Sequence, residues 1–389
     1  MIVNMDAAAT TPLDSDAATA MVRVAQENFW NPSSHHYGGY GSKAILDNCR
    51  HSIAENVGAL ASEIYFTSGG TESDNWALES LARWGAHTGK RHIVSTSFEH
   101  HAILNKLKRL EKRGFTVDLI NPDPNGFIAP KEFEQALRED TCFASVMFVN
   151  NEIGAVQDIE RLSYLCKKRN ILFHTDAVQA VPHMILSMSD PRFRGVDMFS
   201  VSAHKFGGPR GIGFLYVRGG TPLSGMIVGG AQERNKRAGT ENLPGVVGLD
   251  IALNKRVKWL SDSYNIERAN ELIRYIIRAL SSINGFHLNS DNFYISQDIP
   301  IINFYIEGIK GEVLLSLLNS DGVYCSAGSA CAAGDPEPSH VLKAMGYDDE
   351  RAGNSIRLSF DYNLNEDEAN FVIKSICNNV NFLRGESNG

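Results

Sequence analysis

The chain has 389 residues, 43% of them hydrophobic, and a formal net charge of −8. That length exceeds what one core of ordinary size organises, so two domains, one larger, are expected. The acidic balance argues against a strongly basic nucleic-acid surface, so no stable nucleic-acid binding is expected, although local basic patches leave brief contacts with tRNA or DNA open. The N-terminus has no basic segment and no long apolar run, and no stretch supplies the ~18 apolar residues of a membrane span. A soluble, unprocessed, cytoplasmic chain without membrane contact is therefore expected. The six cysteines are Cys49, Cys142, Cys166, Cys325, Cys331 and Cys377. No pair has C-x-x-C spacing, which argues against a zinc knuckle or a thioredoxin-like site, and no metal is expected.

In chain order, residues 1–14 read as an extended arm with an Ala-Ala-Ala-Thr-Thr-Pro turn, and residues 15–28 as a helix. NPSSHHYGG (31–39) is a polar loop, and a helical pattern returns over 41–59. A strand over 63–66 is followed by TSGGT and a helix from about Glu72 carrying Trp76, Leu78 and Leu81. Further strands are predicted over 92–96, 116–120, 144–149, 171–174, 198–201 and 213–217, and helices over 103–112, 130–138 and 159–167. This alternation predicts an α/β fold, a mostly parallel sheet covered by helices on both faces. A long helix spans 246–278, with residues 256–265 as the crossing into a smaller α+β part. There a strand is expected over 300–305, a helix over 311–318, a helix starting within 338–345, a strand over 356–360 and a last helix over 365–383. The larger domain is assigned to 15–257, and the smaller to 1–14 with 258–389.

The chemistry concentrates at the predicted strand ends, where functional loops of such sheets gather. Glycines before a helix N-terminus, as in TSGGT, let backbone N–H groups converge on an anion. The spacing is neither a Walker motif nor GxGxxG. The stretch FSVSAHKFGGPRGIG (199–213) reads as a strand, a tip carrying Lys205, and a glycine-rich turn. A lysine held at a pocket mouth forms Schiff bases with carbonyls when its surroundings lower its pKa. Taken alone, it reads more readily as a surface lysine before a turn.

The motifs TSGGTESDN (67–75), EHHAIL (99–104), VNNEIGAVQ (149–157), HTDAVQA (174–180), SAHKFGGPRGIG (202–213), KRAGTENLPG (236–245) and CSAGSACAAG (325–334) occur in this order. With them the chain resembles the cysteine desulfurases of the NifS/IscS type, which are fold-type I pyridoxal 5′-phosphate (PLP) enzymes. The resemblance runs from Asp6 to Phe360. It implies a large domain with a mostly parallel seven-stranded sheet, PLP carried on Lys205, and Asp176 beside the pyridine nitrogen. It also implies Gln179 and Asn151 at the pyridine 3-oxygen and His100 stacked on the ring, with His101 as the alternative register. Gly70, Thr71, Ser202 and His204 would hold the phosphate. Thr240 would complete the phosphate site of the partner subunit in a homodimer. Arg357 would take the substrate carboxylate, helped by Asn31; a strand-edge salt bridge is its structural alternative.

Cys331 decides the reaction. It lies in a loop of small residues, whereas Cys325 reads as strand-end packing. The resemblance implies that L-cysteine becomes L-alanine while its sulfur passes to Cys331 as a persulfide and on to an acceptor protein. The sequence departs from the family pattern at Ala332-Ala333 and at Asp361-Tyr362, which leaves open the pathway served: iron–sulfur assembly, tRNA thiolation or DNA sulfur modification. A selenocysteine lyase, a class V aminotransferase and a sulfur-relay scaffold with weak turnover are the alternatives.

Overall fold

A computed structural model describes residues 1–289, 299–327 and 338–385. Its first half contains β1 (Val3–Asn4), α1 (Ser15–Glu27), α2 (Tyr37–Asn56), β2 (Ile64–Thr67), α3 (Gly70–His87), β3 (His92–Thr96), α4 (His101–Glu111), β4 (Thr116–Ile120), α5 (Pro130–Ala136), β5 (Thr141–Ser145), α6 (Ile159–Lys168), β6 (Leu172–Asp176), β7 (Met198–Ser202) and β8 (Gly213–Val217). Seven of these strands form one sheet in the order β2-β8-β7-β6-β5-β3-β4. Only β8 runs against its neighbours. The central strands β3, β5, β6 and β7 are covered on both faces, which is why they read as nearly continuous runs rather than alternating ones. Trp76, Leu78 and Leu81 of α3 pack on one face. The other face carries the larger core, including Phe173, Phe199 and Phe214. Phe199 stacks on Tyr216 across the β7–β8 pair at 4.8 Å.

After β8 the chain makes a single left-handed turn, α7 (Gln232–Asn235), in which Glu233, Arg234 and Asn235 all have positive φ. The turn is pinned to β2. Arg50 and the buried Glu233 form a two-pronged ion pair at 2.8 and 2.6 Å, and the amide of Phe66 donates to the same carboxylate. Arg234 donates to the Ile64 carbonyl and lies over the Tyr65 ring.

The expected long helix is two helices, α8 (Leu243–Leu260) and α9 (Ser263–Leu280), parted where the Asp262 side chain caps α9. The break falls inside the expected crossing at 256–265. Beyond it lie β9 (Phe286–Leu288), β10 (Ile301–Ile306), α10 (Gly311–Asp321), β11 (Val323–Tyr324), β12 (Ser326–Ala327), α11 (His340–Ala344), α12 (Asp349–Asn354), β13 (Ile356–Ser359) and α13 (Glu366–Arg384). An antiparallel sheet, β12-β13-β10-β9, has its own core of Ile302, Phe304, Leu358 and Ile376. The N-terminal arm links the two larger sheets: Ala8 N–H donates to Ser359 of β13, Thr11 donates to His204 O just beyond β7, and β1 itself pairs with β11 in a separate two-stranded sheet.

One expectation shifts and two short elements were not expected. The strand expected over 144–149 is realised earlier, as β5. Residues 146–149 stay buried and hydrogen-bonded to β6 through Val146 and Phe148, but they carry the chain out of the ladder toward the site. Strand β9 and helix α12 are too short for periodicity to reveal.

Candidate active site

A cavity of about 310 Å³ opens where the carboxyl ends of the large sheet meet the second sheet. Its walls bring together Gly70, Thr71, His100, Asn151, Asp176, Gln179, Ser202, His204, Lys205 and Arg357.

The floor begins at the β2–α3 turn. Gly69 has φ +143°, which favours glycine, and a Cβ on Gly70 would sit 2.6 Å from Val178. The backbone can therefore close on the cavity with the first-turn N–H groups of α3, which have no partner inside the helix. Ser202 and His204 stand opposite, and Arg210 borders the outer mouth of the same cup. His204 is held neutral, its pKa pushed down to about 4 by burial and by Lys205 and Arg210. This cup presents neutral donors plus one exterior guanidinium, a donor set that suits a phosphate ester.

Lys205 follows β7 on a short 3₁₀ turn. Its ammonium donates to the carbonyls of Ala8 and Ala9 at 2.7 and 2.9 Å. The arm is held for this by Thr11, which bonds His204 O and Gly207 N, and by Gln179, whose amide donates to Ala8 O at 2.8 Å.

Asp176 ends β6 and accepts the Val178 N–H at 2.9 Å. Burial pushes its carboxyl up to about 6, against Val178 N–H and Lys205, which favour the anion. Two further buried carboxyls lie close by. Asp74 is raised well above the carboxylate range by burial, then by Asp176 and Glu99, and its Oδ1 has no hydrogen-bond partner. Glu99 is pushed up to about 8 by burial, although Thr96 and Met147 donate to its Oε1. Burial thus favours the protonated forms of Asp74 and Glu99, while Asp176 is the one of the three whose anion Val178 N–H and Lys205 both favour. The 3.7 Å approach of His174 to Asp74 is not an ion pair, because burial pushes the imidazole down to about 3.

His100 caps α4: its Nδ1 accepts the Ala102 N–H at 3.1 Å. An amide can only donate, so the ring proton sits on Nε2. Burial, then Lys205, His101 and His340, push its pKa down to about 4, so at neutral pH this ring offers a donor.

Arg357, on β13, is 2% exposed. It donates to Asn151 O at 2.9 Å and to Asp6 at 2.7 Å, and its Nε has no hydrogen-bond partner among the described residues. A guanidinium on the cavity wall suits an acceptor such as a carboxylate. Asn151 reaches the site at its backbone carbonyl as well as at the cavity wall.

Asn31 is not brought to this cavity. Its side chain accepts Ser33 N–H in a local turn, and the residue is exposed. Thr240 is exposed and outside the cavity. Cys331 lies outside the described residues. Cys325 is partly buried between β11 and β12, its thiol pushed up to about 12 by burial and by Asp6.

Sequence reasoning passed over Asp74, Glu99, Arg210 and His340. Asp74 sits one helical turn beyond Thr71 inside a motif already singled out, and Arg210 interrupts the glycine turn; both were legible. Glu99 and His340 meet only through the fold.

An anion cup, a lysine, a buried acid and a carboxylate-seeking arginine around one cavity define a site for a phosphorylated aldehyde cofactor. The residues fit PLP by that donor set. The class-V aminotransferase family model matches residues 3–371, and the chain belongs to that family, within its NifS/IscS cysteine desulfurase group. It is 41% identical to the cysteine desulfurase IscS of Dictyoglomus turgidum over 98% of this chain and 95% of that relative. A solved NifS-like protein superposes with a TM-score of 0.90 at 34% identity, covering 98% of this chain and all of the other. The solved structure of SspA in complex with cysteine matches with a TM-score of 0.80 at 32% identity, over 92% of this chain and 98% of the other.

Proposed function

We propose that the chain is a PLP-dependent cysteine desulfurase that converts L-cysteine to L-alanine and passes the sulfur to an acceptor through Cys331. The observation that carries this reading is the single cavity shared by Lys205, Asp176, Arg357 and the β2–α3 cup. PLP would be held by Gly70, Thr71, Ser202 and His204 at its phosphate, by Lys205 covalently and by Asp176 at its ring nitrogen. When bound, it supplies an electron sink for negative charge developing on the substrate.

The chain's own residues do the rest. Arg357, on the cavity wall, binds the substrate carboxylate. Asp176, whose anion Val178 N–H and Lys205 favour, would face a pyridinium. His100 donates from Nε2, and Gln179 and Asn151 line the adjoining wall. Lys205, once released, moves the proton at the substrate Cα. Cys331 receives the sulfur and forms a persulfide.

The proposed assembly is a homodimer. Tyr37 and Val228 are each 95% exposed and Phe29 65%, which suits surfaces that a second copy covers, with Thr240 reaching the partner's phosphate cup. The proposed location is the cytoplasm; among the described residues no helix is long and apolar enough to cross a membrane. The acceptor is a sulfur-carrying protein.

Borohydride reduction tests the reading. It is expected to fix PLP on Lys205, with L-alanine and sulfide formed in equal amounts from L-cysteine before reduction when a thiol reductant is present to release the persulfide sulfur. A label on another lysine overturns the assignment.

A further inference from the structure

Two imidazoles lining the cavity are fixed in opposite hydrogen-bonding senses. His100 takes an amide N–H on Nδ1 and so carries its proton on Nε2. His340, at the start of α11, bonds the carbonyl of Glu99 through Nε2 at 3.0 Å. A carbonyl only accepts, so Nε2 of His340 is the protonated nitrogen and Nδ1 keeps its lone pair. The His340 ring is braced by a tilted stack on His101 at 4.6 Å between centroids. Its neighbour Ser339 is tied to the buried Glu152 at 2.5 Å. The ring is thus anchored on both sides, and its acceptor nitrogen has no hydrogen-bond partner among the described residues.

We propose that His340 is a further catalytic residue of the desulfurase reaction, a base for the substrate thiol. The inference rests on the desulfurase reading above. The Sγ–H bond of bound L-cysteine breaks, its proton passes to Nδ1 of His340, and the electron pair stays on sulfur. The C–S bond then breaks, the sulfur atom going to the enzyme thiolate and the bonding pair to Cβ. The His340 imidazolium gives its proton up to solvent, and Cβ takes one proton from solvent to become the methyl group of L-alanine. L-cysteine and L-alanine differ by one sulfur atom, so one proton removed and one returned balances the cycle. His100 cannot serve as this base without giving up the cap of α4, because its acceptor nitrogen is already used.

The charge around the ring suits the role. From α4 it faces His101 and Lys108, with His100 sharing the cavity and Glu152 beyond Ser339. Burial first, then His101 and Lys108, lower its pKa, so the ring is neutral and able to accept at pH 7.

The test compares wild type, H340Q and H340F holoenzymes on L-cysteine and L-selenocysteine. Gln keeps a donor for Glu99 O and Phe keeps the stack on His101, so cofactor content reports whether each variant is assembled. The selenol of selenocysteine is already ionised at neutral pH and needs no base. In both variants kcat for L-cysteine is expected to fall about 100-fold, the usual scale of general acid–base catalysis, while L-selenocysteine turnover falls less than about threefold. The acid limb of the L-cysteine pH profile is expected to be lost. Equal losses on both substrates, or an unchanged profile, overturn the assignment of His340. Wild type that yields no sulfide from L-cysteine overturns the desulfurase reading itself, and this assignment with it.

Discussion

Removing the Glu233 carboxylate tests how the 229–245 loop is held. Glu233 is 6% exposed, and it binds both terminal nitrogens of Arg50 and the Phe66 amide. In E233A the guanidinium is left buried beside Phe66 with only the Ile64 carbonyl. Breaking a buried pair by removing one partner costs about 3–5 kcal/mol. Alanine still carries a Cβ at a φ of 45°, so the left-handed turn keeps its strain and has lost its anchor. For 389 residues the unfolding entropy is about 0.8 kcal/mol/K, which converts that loss to a fall in Tm of about 4–6 °C. Differential scanning calorimetry measures it. The double variant R50M/E233A is expected to lose little more than E233A alone, because both remove one interaction. A fall below about 1 °C in E233A, or losses that simply add in the double variant, would refute the reasoning. Because the loop carries Thr240, E233A is also expected to retain PLP less tightly.

The other predictions concern the cavity. Glu99 is protonated in the fold with its pKa near 8, above the unfolded value, so the folded state binds the extra proton between about pH 4.5 and 8 and loses stability as pH rises through that window. E99Q keeps the acceptor for Thr96 and Met147, so its Tm is expected to equal wild type near pH 4.5 and exceed it increasingly toward pH 8; a constant difference across the series contradicts the protonated assignment. R357K loses the fork geometry, and the KM for L-cysteine is expected to rise about ten- to a hundredfold, the worth of hydrogen bonds to a charged group, with a smaller change in kcat. An unchanged KM places the substrate carboxylate elsewhere. C325A is expected to leave sulfide release near wild type, since a thiol pushed up to about 12 is not a thiolate at neutral pH; collapse of activity would make Cys325 the sulfur acceptor.

Most of the scaffold was legible because it is a periodic α/β sequence. The strands β3, β4 and β8 fall at the predicted residues, since each is bounded by turn-forming residues on both sides. The end of β5 was not legible: Val146–Val149 are as apolar as the strand, and pattern alone does not separate a buried exit loop from a ladder. Residues in named motifs, such as Lys205 and Asp176, do converge on one cavity. Asn31 does not, because an Asn-x-Ser turn closes on itself and uses the side chain that was to reach the substrate. The carboxyl cluster of Asp74, Glu99 and Asp176 was hidden by distance in sequence: its members come from α3, the β3–α4 connection and β6, and burial rather than motif spacing sets their protonation.

The central claim is that sulfur leaves L-cysteine onto Cys331. The direct measurement is intact and peptide mass spectrometry of the holoenzyme after a pulse of L-cysteine without reductant. A gain of one sulfur atom, confined to the peptide that holds Cys331 and absent in C331S, is the predicted result. L-cysteine turned over at the wild-type rate by C331S, or the extra sulfur found on Cys325, would contradict the account.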